Sequence, residues 1–269
     1  MIPSASEWLL FLPGFLLGLL VAPALASAGI SMRIGGDTLA ALSYAQVATA
    51  GAMLGTLLGW APGLGAWALA LSAGLLMMPW RTNAARTRGG TTHALLLLLL
   101  AWACALLLAD NHPDARLLGT ASIEGQLLLI RLPDVVSVGA LCILGLLITI
   151  ATHRAWTREQ LLTWQRPGRQ SRQKIIALGR ETGLITLIAA GTLSVGVFAT
   201  LALTLIPAYL VWSRCHGLRS ALHWCALLGV VAHVLAFVLS LLLDQVYAAV
   251  VVVVLGFLLA GVQGVRFRT

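Results

Sequence analysis

The sequence predicts an all-α fold, a polytopic helical membrane protein with about nine membrane segments. Hydrophobic residues make up 59% of the 269-residue chain and charged residues only 10%, and the mean hydropathy is +0.95. Apolar runs of about 18 to 25 residues, each long enough to cross the hydrocarbon layer as a helix, recur along the whole chain. The basic residues cluster between those runs. A soluble domain could not bury this much apolar surface.

The apolar runs define the expected membrane helices. They cover residues 8–30, 38–60, 62–80, 92–109, 134–152, 219–243 and 246–265, with a longer stretch at 183–212. The first run ends with the sequence APALASA at residues 22–28, which is similar to a signal-peptidase site. The basic start of a signal peptide is missing, however, because the residues before it include Glu7 but no Lys or Arg. We therefore expect it to be a retained first span. Residues 117–133 are too polar to span, and they predict a short amphipathic helix at the outer face.

Basic residues set the expected orientation. All of the 17 Lys and Arg residues except Arg116 and Arg131 can be placed on one side of the membrane. The positive-inside rule makes that side cytoplasmic. The chain is therefore expected to be a multi-pass protein of the cell (inner) membrane, with its N-terminus outside and its C-terminus in the cytoplasm.

The stretch at 183–212 must reverse direction inside the membrane. Arg180 and Arg214 flank it and both belong to the cytoplasmic set, so the chain between them has to go out and come back. A break near Gly196 would divide it into two helices of about 14 residues, each near 21 Å long and shorter than the bilayer core. If the stretch were instead one span, the number of segments would be eight rather than nine.

Motifs for catalysis are missing from the sequence. The single lysine, Lys174, follows Gln173, so the glycine-rich loop ending in Gly-Lys-Ser/Thr cannot be present and this chain cannot hydrolyse ATP through it. Neither HExxH nor GxSxG occurs. We expect no enzyme activity and no cofactor bound by this chain. Nucleic acid is not an expected partner either, because the positive charge lies in short loops between spans.

Two stretches carry a family resemblance. Residues 33–43 read RIGGDTLAALS, and residues 195–208 read VGVFATLALTLIPA. They resemble the Gly-Asp-Thr/Ala-Leu-Ala/Ser-His-Ala and Val-Gly-Ala/Val-Leu-Leu…Leu-Ile-Pro-Ala-Ala motifs of the permease subunits of zinc and manganese ABC importers. Weaker similarities, at Gly125 to Leu128 with Asp134 and at Ser240 with Asp244, extend the match over residues 8–262.

This resemblance implies one permease domain over residues 1–269 with an ABC importer permease fold. Its implied partners are a second copy of the chain, two ATPase subunits that bind ATP and magnesium, an extracytoplasmic solute-binding protein and the lipid bilayer. The longest cytoplasmic stretch, residues 153–181, is where we expect the ATPase to couple, through Trp164, Arg166, Gly168 and Arg169. The alternative is a basic loop that holds the topology and touches anionic lipid.

The substrate path implied by the resemblance follows the second helix. Asp37, Ala41 and Tyr44 would form one stripe, with Ser43 and Gln46 on a neighbouring face. Asp37 could contact a cation, or it could cap the helix N-terminus. The family has His where this chain has Ala41, and an acid where it has Gln126, so a bare metal site is in doubt.

A histidine inside a later span offers a replacement ligand. His233 lies in an apolar run, where polar groups are costly and often functional. We predict a tentative metal site of Asp37 and His233 and place His233 on the substrate path. The alternative is a core histidine that bonds a neighbouring carbonyl group.

The sequence thus favours the permease subunit of an ABC importer for a divalent metal ion, zinc first and manganese second. One alternative keeps the fold and moves a metal chelate or a small organic solute. Another is a membrane assembly subunit that transports nothing.

Overall fold

Ten α-helices make up the part of the chain that the computed structural model describes, namely residues 5–36, 38–84, 89–125, 127, 132–165, 170–212, 214–215 and 217–266. They are α1 (Ala5–Gly35), α2 (Thr38–Leu57), α3 (Pro62–Ala84), α4 (Gly89–Asn111), α5 (Pro113–Glu124), α6 (Leu132–Gln165), α7 (Gln170–Ser194), α8 (Val197–Trp212), α9 (Leu218–Leu243) and α10 (Tyr247–Arg266). No strand occurs in these residues, so the all-α prediction is confirmed.

Small residues let neighbouring helices approach closely, and the order of these contacts shows that the paired helices are antiparallel. On α1, Gly18 lies against His233 of α9, and Ala22 lies against Gly229 one turn earlier on α9. On α2, a Cβ atom added to Gly51 would lie 2.5 Å from the carbonyl oxygen of Gly65 on α3. Contacts this close are typical of helices packed inside a membrane.

The helix ends fall into two sets. Arg33, Arg214 and Arg219 lie where α1 and α8 end and α9 begins, and we call this the basic end of the bundle. The other end carries α5, and we call it the α5 end. Five helices are long and apolar enough to cross a membrane. Three shorter apolar helical stretches accompany them among the described residues, namely Pro62–Met77 of α3, Val197–Trp212 of α8 and Tyr247–Gly261 of α10. The number of nine segments stays a prediction.

Helix α7 is the centre of the bundle. It packs against α1, α2, α3 and α6. The run from Leu184 to Ala190 is buried on every side of the helix, which is the pattern of an element surrounded by protein. The elements that hold polar side chains therefore meet around α7.

The predicted break near Gly196 is present. Helix α7 ends at Ser194 and α8 begins at Val197, so the stretch 183–212 is two helices and not one span. The expected length of about 14 residues was wrong for α7, which has 25 residues. It was nearly right for α8, which has 16 residues. The helix starts earlier because the Arg, Gln and Lys residues of the basic segment are good helix formers and do not interrupt it.

The described part of the basic segment 153–181 is helical throughout. It consists of the end of α6 and the start of α7. Between them, residues 166–169 lie outside the described residues. Since α7 begins ten residues before Arg180, it extends about 15 Å further in that direction.

A backbone contact at the α5 end closes the turn between α7 and α8. Gly125, which follows α5, has φ +81°, and Gly196 has φ +90°. A Cβ atom on Gly196 would lie 2.9 Å from the amide nitrogen of Gly125 and 3.0 Å from the carbonyl oxygen of Ile123. The amphipathic helix predicted at 117–133 is observed as α5, which starts earlier, with Pro113 in its first turn, and ends at Glu124. Its C-terminus covers the reversal of the chain.

We predict that Gly196→Ala lowers the free energy of unfolding by about 1 to 3 kcal/mol, because alanine disfavours positive φ and its methyl group would meet the α5 backbone. Gly256→Ala is the matched control, since that glycine lies inside α10 with open space around it. Thermal unfolding in detergent would compare both variants with the parent chain. Equal melting temperatures for Gly196→Ala and the parent would contradict the proposed role of the contact.

Candidate functional site

Tyr44 and Glu181 join α2 to α7. Tyr44 is 2% exposed, and its hydroxyl donates a hydrogen bond to the Glu181 carboxylate, with an Oη to Oε1 distance of 2.6 Å. The two residues are 137 positions apart in the chain. A buried hydroxyl and a half-buried carboxylate thus satisfy each other, where either alone would be costly in an apolar bundle.

Ser43, the residue before Tyr44, joins α2 to α4. Its hydroxyl is 2.6 Å from the carbonyl oxygen of Ala94 and 3.0 Å from the carbonyl oxygen of Leu39, one turn back in α2. Neighbouring positions on one helix therefore contact two different helices.

Arg180 adds a bond from α7 to α1. It is buried, and its Nη2 donates to the carbonyl oxygen of Ser31 at 2.6 Å. That carbonyl lies near the C-terminal end of α1, where the helix dipole favours a cation. Arg180 and Glu181 thus attach α7 to both helices that flank the turn after α1.

The predicted substrate path can be compared with these contacts. Asp37 lies outside the described residues. Ala41 is buried with Tyr44, and Gln46 is half-buried. The described part of the predicted stripe therefore faces the interior of a single chain, and Ser43 and Tyr44 form structural bonds there. Their part in a substrate path stays a prediction.

His233 lies in a separate buried cluster. The side chain is fully buried, with Nε2 3.1 Å from the carbonyl oxygen of Phe15 and Nδ1 2.7 Å from the hydroxyl of Tyr247. A carbonyl can only accept, so Nε2 carries the proton, and Nδ1 accepts from the tyrosine hydroxyl. The rings of Phe15 and Phe237 pack at 5.4 and 5.8 Å from the imidazole.

This arrangement uses both nitrogens of a neutral histidine within the protein. It matches the alternative of a core histidine bonded to a carbonyl. Sequence reasoning missed Tyr247, although a buried tyrosine hydroxyl also needs a partner. A metal at His233 would have to displace the Tyr247 hydroxyl from Nδ1, and that role stays a prediction.

Because Asp37 lies outside the described residues, a metal site shared by Asp37 and His233 stays a prediction. Helix α9, which carries His233, packs on α1, α8 and α10, whereas α2 packs mainly on α3, α4, α5 and α7. No group of three His, Cys, Asp or Glu side chains suited to a metal occurs in the described part of the chain.

The predicted coupling residues fall at the end of α6 and in the segment that follows it. Trp164 belongs to the last turn of α6, while Arg166, Gly168 and Arg169 lie outside the described residues. Their role in coupling stays a prediction.

Comparisons of the sequence match no family model and no curated protein. Comparison of the structure finds the PsaBC complex of Streptococcus pneumoniae bound to a Fab, with a TM-score of 0.74 and 17% identity, covering 93% of this chain and 89% of that chain. It also finds a metal-chelate type ABC transporter in an inward-facing conformation, with a TM-score of 0.68 and 15% identity, covering 96% of this chain and 86% of that chain. The chain therefore has the predicted ABC permease fold.

We predict that Tyr44→Phe lowers the free energy of unfolding by about 1 to 3 kcal/mol, because it leaves the Glu181 carboxylate without the phenol donor. Tyr209→Phe is the control, since Tyr209 is 51% exposed. A denaturant titration in mixed micelles would measure both. A double-mutant cycle with Glu181→Ala should show coupling of at least about 0.5 kcal/mol, and additive effects would mean that the bond contributes nothing.

Proposed function

We propose that this chain is the permease subunit of an ABC importer that moves a divalent metal ion, zinc first and manganese second. The observation that supports this most is the fold similarity, which extends over 93% of the chain at a TM-score of 0.74. The break between α7 and α8 falls inside the VGVFATLALTLIPA stretch that resembles such permeases. In this proposal two copies of the chain enclose the path, two ATPase subunits supply the energy, and an extracytoplasmic binding protein delivers the cargo.

The orientation follows from charge. With the basic end in the cytoplasm, the N-terminus lies outside, the C-terminus lies inside, and α5 faces the binding protein. The end of α6 and the start of α7 then lie on the cytoplasmic side, where an ATPase subunit can reach them. The proposal includes the inner membrane of the cell as the location of the chain.

Helix α7 gives a physical route from the ATPase to the rest of the bundle. A movement at the start of α7 would act on a helix of 25 residues, which is about 37 Å long. The Arg180 bond to Ser31 attaches that helix to α1, and the Tyr44 bond to Glu181 attaches it to α2. Because α2 carries the predicted path residues, movement of α7 would reach the path through the bond between Tyr44 and Glu181.

The second candidate is a permease of the same fold that moves a metal chelate or a small organic solute. Two residues favour it: Ala41 stands where the family places His, and Gln126 stands where it places an acid. An imidazole and a carboxylate are the ligands that bind a bare zinc or manganese ion. The fold similarity to a metal-chelate type transporter is in keeping with this candidate.

We predict that Asp37→Asn lowers zinc and manganese uptake about tenfold or more if the carboxylate contacts the metal. Asparagine caps a helix as well as aspartate does, so stability should hold. The chain would be reconstituted in proteoliposomes with its ATPase and binding protein, and ATP-dependent uptake of each metal measured. Full uptake by Asp37→Asn, with loss only in Asp37→Ala, would assign Asp37 to capping.

The same assay on the parent chain separates the candidate functions. If the parent takes up a metal chelate but neither bare zinc nor bare manganese, the second candidate is supported. If it takes up no cargo at all, a membrane assembly subunit is favoured.

We predict that Arg169→Glu uncouples the transporter, because it reverses a charge in the segment between α6 and α7, where the ATPase would bind. ATP hydrolysis should continue while uptake per ATP falls severalfold. Arg219→Gln removes a charge on α9 at the same end of the bundle, outside this segment, and should leave the ratio unchanged. Parallel measurement of phosphate release and metal uptake gives the ratio directly. Unchanged coupling in Arg169→Glu would move the ATPase contact to another segment.

A further inference from the structure

A cavity of about 350 Å³ opens at the basic end between α1, α8 and α10. Its polar wall carries Arg33 near the end of α1 and Thr38 at the start of α2. Its apolar wall carries Leu205 and Ile206 of α8 and Leu259 of α10. The cavity thus has a cationic, hydroxyl-bearing side and an aliphatic side, which are the two requirements of an amphipathic ligand.

Two aromatic rings hold the Arg33 guanidinium in place. Its Cζ lies 5.0 Å from the centre of the Tyr209 ring and 5.7 Å from the centre of the Trp212 ring. Such contacts use the face of the guanidinium and leave the N–H groups at its edge able to donate. Tyr209 and Trp212 are 51% and 44% exposed, so the aromatic side of the group is open to its surroundings. A planar cation in this position is ready to bind an oxyanion.

The position along the helices matches a membrane interface. Arg33 is two residues before the end of α1 at Gly35, and Trp212 is the last residue of α8. Trp, Tyr and Arg at helix ends are typical of the level of the lipid headgroups. Leu205 lies about two turns before Trp212 in α8, so the aliphatic wall reaches away from the helix ends toward the middle of the bilayer.

We propose that this cavity binds an anionic phospholipid of the leaflet at the basic end. The headgroup phosphate would accept from the Arg33 guanidinium and the Thr38 hydroxyl, and an acyl chain would lie along Leu205, Ile206 and Leu259. Charge complementarity selects an anionic headgroup, since basic pockets between membrane helices attract such lipids. The aliphatic wall favours a lipid over a free phosphate ion, which has nothing to place there. The identification of the leaflet as the cytoplasmic one rests on the proposed orientation, whereas the site itself does not depend on the cargo.

The test uses the full chain in nanodiscs and in detergent. Native mass spectrometry and lipid titration with phosphatidylglycerol, phosphatidylcholine and inorganic phosphate would be run on the parent chain and on variants. We expect phosphatidylglycerol to bind, and Arg33→Gln to weaken it about fivefold. Arg33→Lys keeps the charge and should retain part of the affinity. Arg219→Gln, which removes an exposed arginine at the same end, should bind lipid like the parent.

A second variant separates the lipid from a free anion and guards against misfolding of the first. Leu259→Trp fills the aliphatic side without changing charge, so it should weaken phosphatidylglycerol while leaving any phosphate binding unchanged. Equal losses in Arg33→Gln and Arg219→Gln would show non-specific attraction and overturn the proposal. Inorganic phosphate that displaces phosphatidylglycerol at equal concentration would also overturn it, in favour of a free anion site. Lipid binding without metal uptake would contradict the proposed function alone.

Discussion

Backbone groups inside a bilayer must find their hydrogen-bond partners within the protein, and the reversal at Val195 and Gly196 is where this chain meets that constraint most sharply. The amide of Val195 donates to the carbonyl oxygen of Gly191 at the end of α7. The amide of Thr200 donates to the carbonyl oxygen of Gly196 at the start of α8, so hydrogen bonding of the α7 end and of the α8 start involves the two residues between the helices. Positive φ at Gly196 makes this compact turn possible. The Gly125 backbone then covers it from outside.

The same reversal explains why α7 can be the central helix. A helix that turned back through lipid would expose polar groups, so its neighbours have to surround it. Residues 184–190 are buried on all sides as a result, while Arg180 and Glu181 lie nearer the start of α7 and bond partners on α1 and α2. Within the buried run, the Thr186 hydroxyl accepts a hydrogen bond from Nε1 of Trp67 on α3 at 3.0 Å. Polar bonds thus join α7 to its neighbours in its buried part as well as near its start.

Sequence patterns predicted the fold because the bilayer restricts what apolar runs and arginines can do. Arginine placement predicted the reversal near Gly196, since both flanking clusters had to share one side. The start of α7 was not predictable in this way, because charge does not end a helix whose residues favour helical structure. Composition also cannot show which polar residues pair. Tyr44 and Glu181 are 137 positions apart, and nothing in the run around His233 pointed to Phe15 or Tyr247.

The polar contacts divide the bundle into two groups that share α1. Near the basic end, bonds from α7 attach α1 and α2, and Ser43 attaches α2 to α4. His233 attaches α9 to α1 and α10 nearer the other end of the bundle. Interhelical hydrogen bonds in membranes contribute about 1 kcal/mol each, so each group resists separation more than the boundary between them does. Because α1 belongs to both groups, relative movement of the two groups would be accommodated along the packing faces of α1.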